Sequence, residues 1–215
     1  MPLITAFEPM ARRKDRYVVQ VDDKSFATVS LDVIQRLGLH IGEPLLEGTG
    51  AQLLDEAAAL AAYDRALRML AARGRSGRDM ERRLVQKGEQ RQHAAQAVEK
   101  LRSLGLIDDA SFARTRARSK LTSGRGTRRV EMDLQQQGVE RETARVAVKE
   151  VIVDSGIDML EQAREAAQKK ARSMTKLEPA VRHRRLYAFM ARRGFAPDEI
   201  RKAVESALTS LGDKP

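Results

Sequence analysis

Ser76-Gly77-Arg78-Asp79-Met80-Glu81-Arg82-Arg83-Leu84-Val85-Gln86-Lys87-Gly88 decides the fold, because its pattern returns twice more along the chain. Met80 and Leu84 stand eight and four residues before Gly88, one helical turn apart on a single face. Val130 and Leu134 hold the same places before Gly138, and Leu186 and Met190 hold them before Gly194. Ten residues beyond each glycine stands a valine: Val98, Val148 and Val204. Each unit therefore reads as a helix with an apolar pair, a glycine at its end, and a second helix whose apolar position keeps step. The glycines fit the left-handed residue that follows a helix, which costs a residue with a Cβ about 1 kcal/mol or more. Ser76 opens the first of these helices, with Asp79 three residues on in a variant of the capping box. A preceding helix completes each unit, over about 54–73, 109–122 and 158–174. In the first unit its apolar face is expected to be Leu60, Tyr63, Leu67, Leu70 and Ala71.

Upstream the texture differs. The first dozen residues show no period and are expected to form a loose tail. Tyr17-Val18-Val19-Gln20-Val21, the turn-like Asp22-Asp23-Lys24 and Ser25-Phe26-Ala27-Thr28-Val29 read as a β-hairpin. Ser30 or Asp32 caps a short helix with Val33, Ile34 and Leu37, which Gly38 stops. Gly42, Pro44, Gly48 and Gly50 then break the pattern until helix begins near Leu53. A lone hairpin is marginal in water, so this module is expected to pack on something else. Lys176-Leu177-Glu178-Pro179 reads as a linker, and Gly194 and Pro197 bracket a turn. The expected fold is mainly α, with three tandem three-helix repeats, elongated and curved, behind a small N-terminal β-hairpin and helix. Its divisions are expected at 1–52, 53–108, 109–156 and 157–215.

The chain has 215 residues, with 40 Lys and Arg against 30 Asp and Glu, a net charge of +10. That charge is unevenly spread. Residues 1–62 carry 6 basic and 9 acidic side chains, and residues 63–215 carry 34 and 21, so the parts hold −3 and +13. The +13 divides as +4 over 63–109, +5 over 110–153 and +4 over 154–215, nearly equal shares for three units. Arginine supplies 29 of the 40 cations, and its planar fork grips phosphate or carboxylate at two points. A partner with regularly repeated negative charge follows from this. Cysteine is absent, which excludes disulfides, thiol catalysis and Cys-based metal sites. Aromatics are 4% with no Trp, which argues against an aromatic-rich β-barrel and against a base-stacking surface. No apolar run reaches signal-peptide or membrane-span length, so a cytoplasmic location and no membrane partner are expected.

The search for chemistry finds little. His40, His93 and His183 lack the spacing of a zinc site and are each expected at the surface. No Gly-x-x-x-x-Gly-Lys-Ser/Thr loop exists. Gly124-Arg125-Gly126-Thr127 reads either as a cradle for one phosphate at a helix N-terminus or as a connector with Thr127 as cap. Asp108-Asp109 reads either as a Mg²⁺ or acid–base pair, or as a helix start with Asp108 capping and Ile107 stapled to Phe112. No catalytic residue, metal site or cofactor is expected.

Arginines form one further column, ten residues before each glycine: Arg78, Arg128 and Arg184. They lie two positions before the inward Met80, Val130 and Leu186, near the start of each helix, which turns them about 200° from the core stripe toward solvent. Arg129 and Arg185 extend the column, and Arg82 and Arg83 add charge in the first unit. The candidate contacts with a polyanion or partner are Arg73, Arg75, Arg78, Arg82, Arg83, Lys87, Arg125, Arg128, Arg129, Arg184, Arg185, Arg192 and Arg193.

Several stretches resemble the RecX family. They are Tyr63-x-x-Ala66-Leu67, Arg73-x-Arg75-Ser76, Leu84-x-x-Lys87-Gly88 and Leu101-x-x-x-Gly105-Leu106-Ile107-Asp108-Asp109-x-x-Phe112-Ala113. Arg128-Arg129-Val130-x-x-x-Leu134-x-x-x-Gly138-Val139 and Leu186-x-x-Phe189-Met190-Ala191-Arg192-Arg193-Gly194-Phe195 fit as well, so the resemblance covers about residues 60–208. It implies tandem three-helix repeats, an N-terminal β-containing extension matched by residues 17–50, and a regulator of the RecA recombinase in DNA repair, recombination and the SOS response. Such proteins bind along the RecA–DNA filament, suppress its ATPase and strand exchange, and also bind DNA. The resemblance implies no catalytic residues. The repeat, the charge and the resemblance together leave three readings: a monomeric filament modulator with sequence-independent DNA contact, a stand-alone helix-turn-helix repressor or nucleoid-type protein, and a nucleic-acid enzyme using Asp108 and Asp109.

Overall fold

The computed structural model describes residues 1–11 and 13–210, with Lys14 described by its backbone alone. Three strands come first: β1 (Ile4–Met10), β2 (Arg13–Val21) and β3 (Lys24–Ser30). Ten helices follow among the described residues: α1 (Leu31–Arg36), α2 (Glu47–Ala72), α3 (Gly77–Gln86), α4 (Arg91–Ser103), α5 (Asp109–Thr122), α6 (Thr127–Gln136), α7 (Arg141–Ser155), α8 (Met159–Ala171), α9 (Pro179–Arg193) and α10 (Pro197–Thr209). The chain divides into two compact units. One holds Met1–Gly74 with Met80–Ile107, and the other holds Arg75–Asp79 with the chain from Asp108 onward. Arg12 of the expected tail and positions 211–215 of the expected last repeat lie outside the described residues.

In the first unit the hairpin is part of a three-stranded antiparallel sheet, ordered β1-β2-β3. The expected loose tail is instead strand β1. Only Ile4 of that strand is buried, so no alternation marked it in the sequence, and pairing with β2 supplies its hydrogen bonds. Asp22 and Asp23 form the β2–β3 turn at φ +48° and +59°, the positive values a two-residue hairpin turn requires. Ser30 holds the N-cap position of α1 without a side-chain cap bond.

Helix α2 begins at Glu47, several residues before the expected start near Leu53. Gly48 and Gly50 lie inside it although their propensity disfavours helix, because packing overrides propensity here. Gly50 is buried, and a Cβ at that place would stand 3.5 Å from Leu45 Cδ2. The helix serves two cores. Leu53 and Ala57 join the cluster around Val19, Val29 and Leu45, and Ala62 and Ala66 join Met80, Leu84, Ala97 and Leu101. Asp64 accepts ion pairs from Arg13 and Arg16 of β2, which fastens the sheet to the helix.

The apolar columns of the repeat are the core. Met80, Leu84, Val98, Val130, Leu134, Val148, Leu186, Met190 and Val204 are none of them more than 2% exposed. Gly88, Gly138 and Gly194 have φ of +93°, +84° and +84°, as the helix-end pattern required. The residue after each glycine donates to the inward residue's carbonyl: Glu89 to Leu84 at 3.1 Å, Val139 to Leu134 at 3.1 Å and Phe195 to Met190 at 3.4 Å. In the second unit α5 to α10 share one continuous core.

The first helix of each repeat buries alanines, not the larger residues expected. Ala62 and Ala66, Ala113 and Ala117, and Ala163 and Ala167 are all fully buried at i, i+4 spacing. Leu60, Tyr63, Leu67 and Leu70 are only half-buried, and Ala71 is exposed. Alanine lets α4 approach α2, α7 approach α5 and α10 approach α8 closely, and the flanking leucines seal the edges. Ala167→Leu is therefore expected to lower stability by about 1–3 kcal/mol through overpacking, read as a reduced denaturation midpoint. Pro179, expected in a linker, is the first residue of α9, where its missing N–H is no loss. No helix among the described residues is long and apolar enough to cross a membrane.

Candidate functional site

Two end-to-end helix junctions, both inside the second unit, organise the candidate cations. At the first, the Ser76 hydroxyl donates to the Gln137 carbonyl at the end of α6 and accepts the Asp79 N–H at 3.1 Å. The capping expected of Ser76 is thus present, and within the second unit it also ties the segment Arg75–Asp79 to the end of α6. A Cβ at Gly138 would stand 2.8 Å from Arg78 Cβ, so the helix ends meet in van der Waals contact. At the second, the Gly126 N–H donates to the Arg193 carbonyl at 2.9 Å, and the Arg128 N–H donates to the Gly194 carbonyl at 3.1 Å.

This second junction corrects both readings of Gly124-Arg125-Gly126-Thr127. The N-cap of α6 is Gly126, not Thr127, and its donors are filled by the end of α9, leaving no open phosphate cradle. Joining the positive end of one helix to the negative end of another satisfies orphan backbone groups on both. Arginines in a first helical turn ordinarily oppose the helix dipole. Here Arg78 stands beside the carbonyl end of α6, and Arg128 and Arg129 beside that of α9.

The thirteen candidates have different roles in the fold. Arg75 pairs with Asp79 at 2.9 Å, and Arg129 and Arg125 approach Asp133 at 2.9 and 3.6 Å. Arg193 lies over the Phe189 ring at 5.5 Å. These four brace the structure. Arg82 and Arg83 are exposed, but neither lacks a partner. Arg73, Arg78, Lys87, Arg128, Arg184, Arg185 and Arg192 are exposed and have no ion-pair partner among the described residues. The column is thus solvent-facing, but its third member is offset. Arg184 is the sixth residue of α9, because α9 has 15 residues where α3 and α6 have 10 each. Other exposed cations are engaged within the fold. A hydrogen bond from Arg145 at 2.6 Å holds the Glu142 carboxyl below the usual carboxylate range, and Glu56 at 2.5 Å holds Arg36 above its own.

The acidic pair is structural. Asp108 caps α5, accepting from the Ala110 and Ser111 N–H groups at 2.9 and 3.0 Å, and Asp109 accepts from the Gly77 N–H at 2.8 Å. The expected staple does not hold: Ile107 belongs to the core of Met80 and Leu84, and Phe112 packs against the core of the second unit. No group of three or more His, Cys, Asp or Glu among the described residues could hold a metal ion.

His40 and His183 are exposed as expected, but His93 is 1% exposed and bonds Asp55 of α2 through Nε2 at 2.9 Å. His93, Ala97 and Leu101 follow i, i+4 spacing, a readable sign of burial. Arg182 was also missed. It is 6% exposed and donates to the carbonyls of Met174, Thr175 and Leu177 at 3.1, 2.9 and 2.8 Å, pinning the connection into α9. It lies four residues before Leu186, on the core stripe, which was its signal.

Comparisons with known proteins match three successive stretches of the chain. Residues 62–101, 108–148 and 157–204 match family models described as the first, second and third three-helix domains of RecX. The regulatory protein RecX of Chlorobaculum tepidum is 31% identical, over 72% of this chain and 93% of its own. That of Halorhodospira halophila is 33% identical, over 70% and 91%. A crystal structure of regulatory protein RecX shares the fold at TM-score 0.78 and 22% identity, covering 94% of this chain and 98% of its own. The crystal structure of RecX from Lactobacillus salivarius aligns at TM-score 0.58 and 20% identity, over 70% and 96%.

Proposed function

The chain belongs to the RecX family of regulatory proteins, and from that premise we propose that it modulates a RecA-type recombinase by lying along the RecA–DNA filament. It lowers the filament's ATPase and strand exchange by occupancy, without chemistry of its own. It acts as a cytoplasmic monomer, through three successive contacts over 53–108, 109–156 and 157–215.

The observation that carries this reading is the set of exposed arginines recurring on α3, α6 and α9, Arg78, Arg128 and Arg184, which have no ion-pair partner among the described residues. Side chains that the fold does not neutralise are free to meet external phosphate or carboxylate, and their recurrence suits a partner with a regular repeat of negative charge. The near-equal +4, +5 and +4 shares of charge support the same view. Backbone contact through such cations carries little sequence information.

The test is the DNA-dependent ATPase of a purified recombinase. Inhibition is expected at substoichiometric protein, because one molecule on a filament affects many subunits. No effect at any ratio overturns the reading, and a footprint confined to one palindromic site supports the repressor reading in its place.

A further inference from the structure

Helix α9 presents two aromatic side chains on one face. His183 and Tyr187 are one turn apart, with ring centroids 6.4 Å apart and planes inclined by 27°. Tyr187 is 40% exposed. Across from them Pro197 and Leu208 of α10 close a groove of about 520 Å³. Its rim is polar: Arg201 pairs with Asp198 at 3.0 Å, and Glu205 lines the same space. Next to His183 in the chain are the exposed Arg184 and Arg185, with no ion-pair partner among the described residues.

We propose that this groove takes one unstacked base of a single-stranded nucleic acid, with Tyr187 as the stacking face and Arg184 holding the adjoining phosphate. A flat ring in a largely apolar slot, with the exposed Arg184 three residues before it on the same helix, is a combination suited to single strands, since every base has a π-face and every linkage a negative charge. The groove volume accommodates a nucleotide, and Pro197 and Leu208 give the base apolar walls. Glu205 is placed to accept a base N–H, which the Watson–Crick edge of every nucleobase offers, so the site holds a base without choosing among sequences. The remaining arginines meet backbone phosphates. The inference rests on the proposed contact with nucleic acid.

The experiment compares a single-stranded oligonucleotide with an abasic strand of equal length and charge, in equilibrium titrations across a salt series. The intact strand is expected to bind about 5- to 100-fold more tightly, the worth of one stacked base. A 2-aminopurine in the strand is expected to be quenched on binding. Tyr187→Ala abolishes both the preference and the quenching, and Tyr187→Phe retains both, with helical content and melting checked for each variant. Equal affinity and equal salt slope for the two strands overturn the inference and leave the proposed polyanion contact standing. Failure to bind either strand at low salt brings down the nucleic-acid arm of the proposed function, and this site with it. Binding to recombinase alone that Tyr187→Ala abolishes, with no response of the site to the oligonucleotide, overturns the inference in favour of a protein occupant.

Discussion

Gly194→Ala is expected to destabilise the second unit by about 3–5 kcal/mol, seen as a lower denaturation midpoint, whereas Gly88→Ala costs only about 1 kcal/mol. Both glycines sit at positive φ, +84° and +93°, so both lose the same conformational allowance on gaining a Cβ. Their surroundings differ. A Cβ at Gly194 would overlap the Cβ and backbone N of Arg129, which cannot move without opening the α6–α9 junction. Nothing lies within 4 Å of the same position at Gly88. Gly126→Ala isolates the steric part, because Gly126 has φ −74° and its Cβ would overlap the Gly194 carbonyl and the Phe195 N. Equal losses at Gly88 and Gly194 would show that the junction contributes nothing beyond local conformation.

Reversal of three charges, Arg78→Glu, Arg128→Glu and Arg184→Glu, is expected to weaken binding to DNA or to the recombinase filament about 10- to 100-fold at low salt. The salt dependence of DNA binding should fall by about one unit of slope per arginine removed. Stability should not fall with it. Arg78 and Arg128 are the second residues of α3 and α6, where a carboxylate gains from its own helix N-terminus and loses beside the carbonyl end of α6 or α9, so the two effects, each about 0.3–1 kcal/mol, offset. Arg184 is exposed within α9 and makes no ion pair among the described residues. Unchanged affinity would refute the interface, and a marked loss of thermal stability would make the column structural.

The three-unit helical pattern was legible because periodicity reports burial directly. Met80, Leu84 and their four counterparts in the other units needed only 3.6-residue spacing and a glycine stop to be placed. Strand β1 was illegible because just one of its side chains is buried, so pairing and not patterning makes it a strand. The alanine faces of α2, α5 and α8 were overshadowed by larger leucines beside them, since hydrophobicity marks what prefers burial and not what fits a close contact. His93 and Arg182 follow the core stripe, and their polar side chains mask the burial that their position shows.

The candidate site divides in the same way. Arg78, Arg128 and Arg184 could be found by counting, because helical phase alone turns them from the core. Which arginines are committed is readable in part: Arg129 with Asp133 and Phe189 with Arg193 are i, i+4 neighbours on one helix, whereas Arg125 reaches Asp133 only because the loop before α6 turns it there. The groove of Tyr187, His183 and Leu208 exists only because α10 folds back on α9 after Gly194. Sequence by itself determined the repeated helices, their glycine ends and the sharing of charge, all of which depend on local backbone preference and helical phase. Only tertiary structure decided which helix ends meet and where an aromatic face lies open, because each depends on groups distant in the chain arriving within a few ångströms of one another.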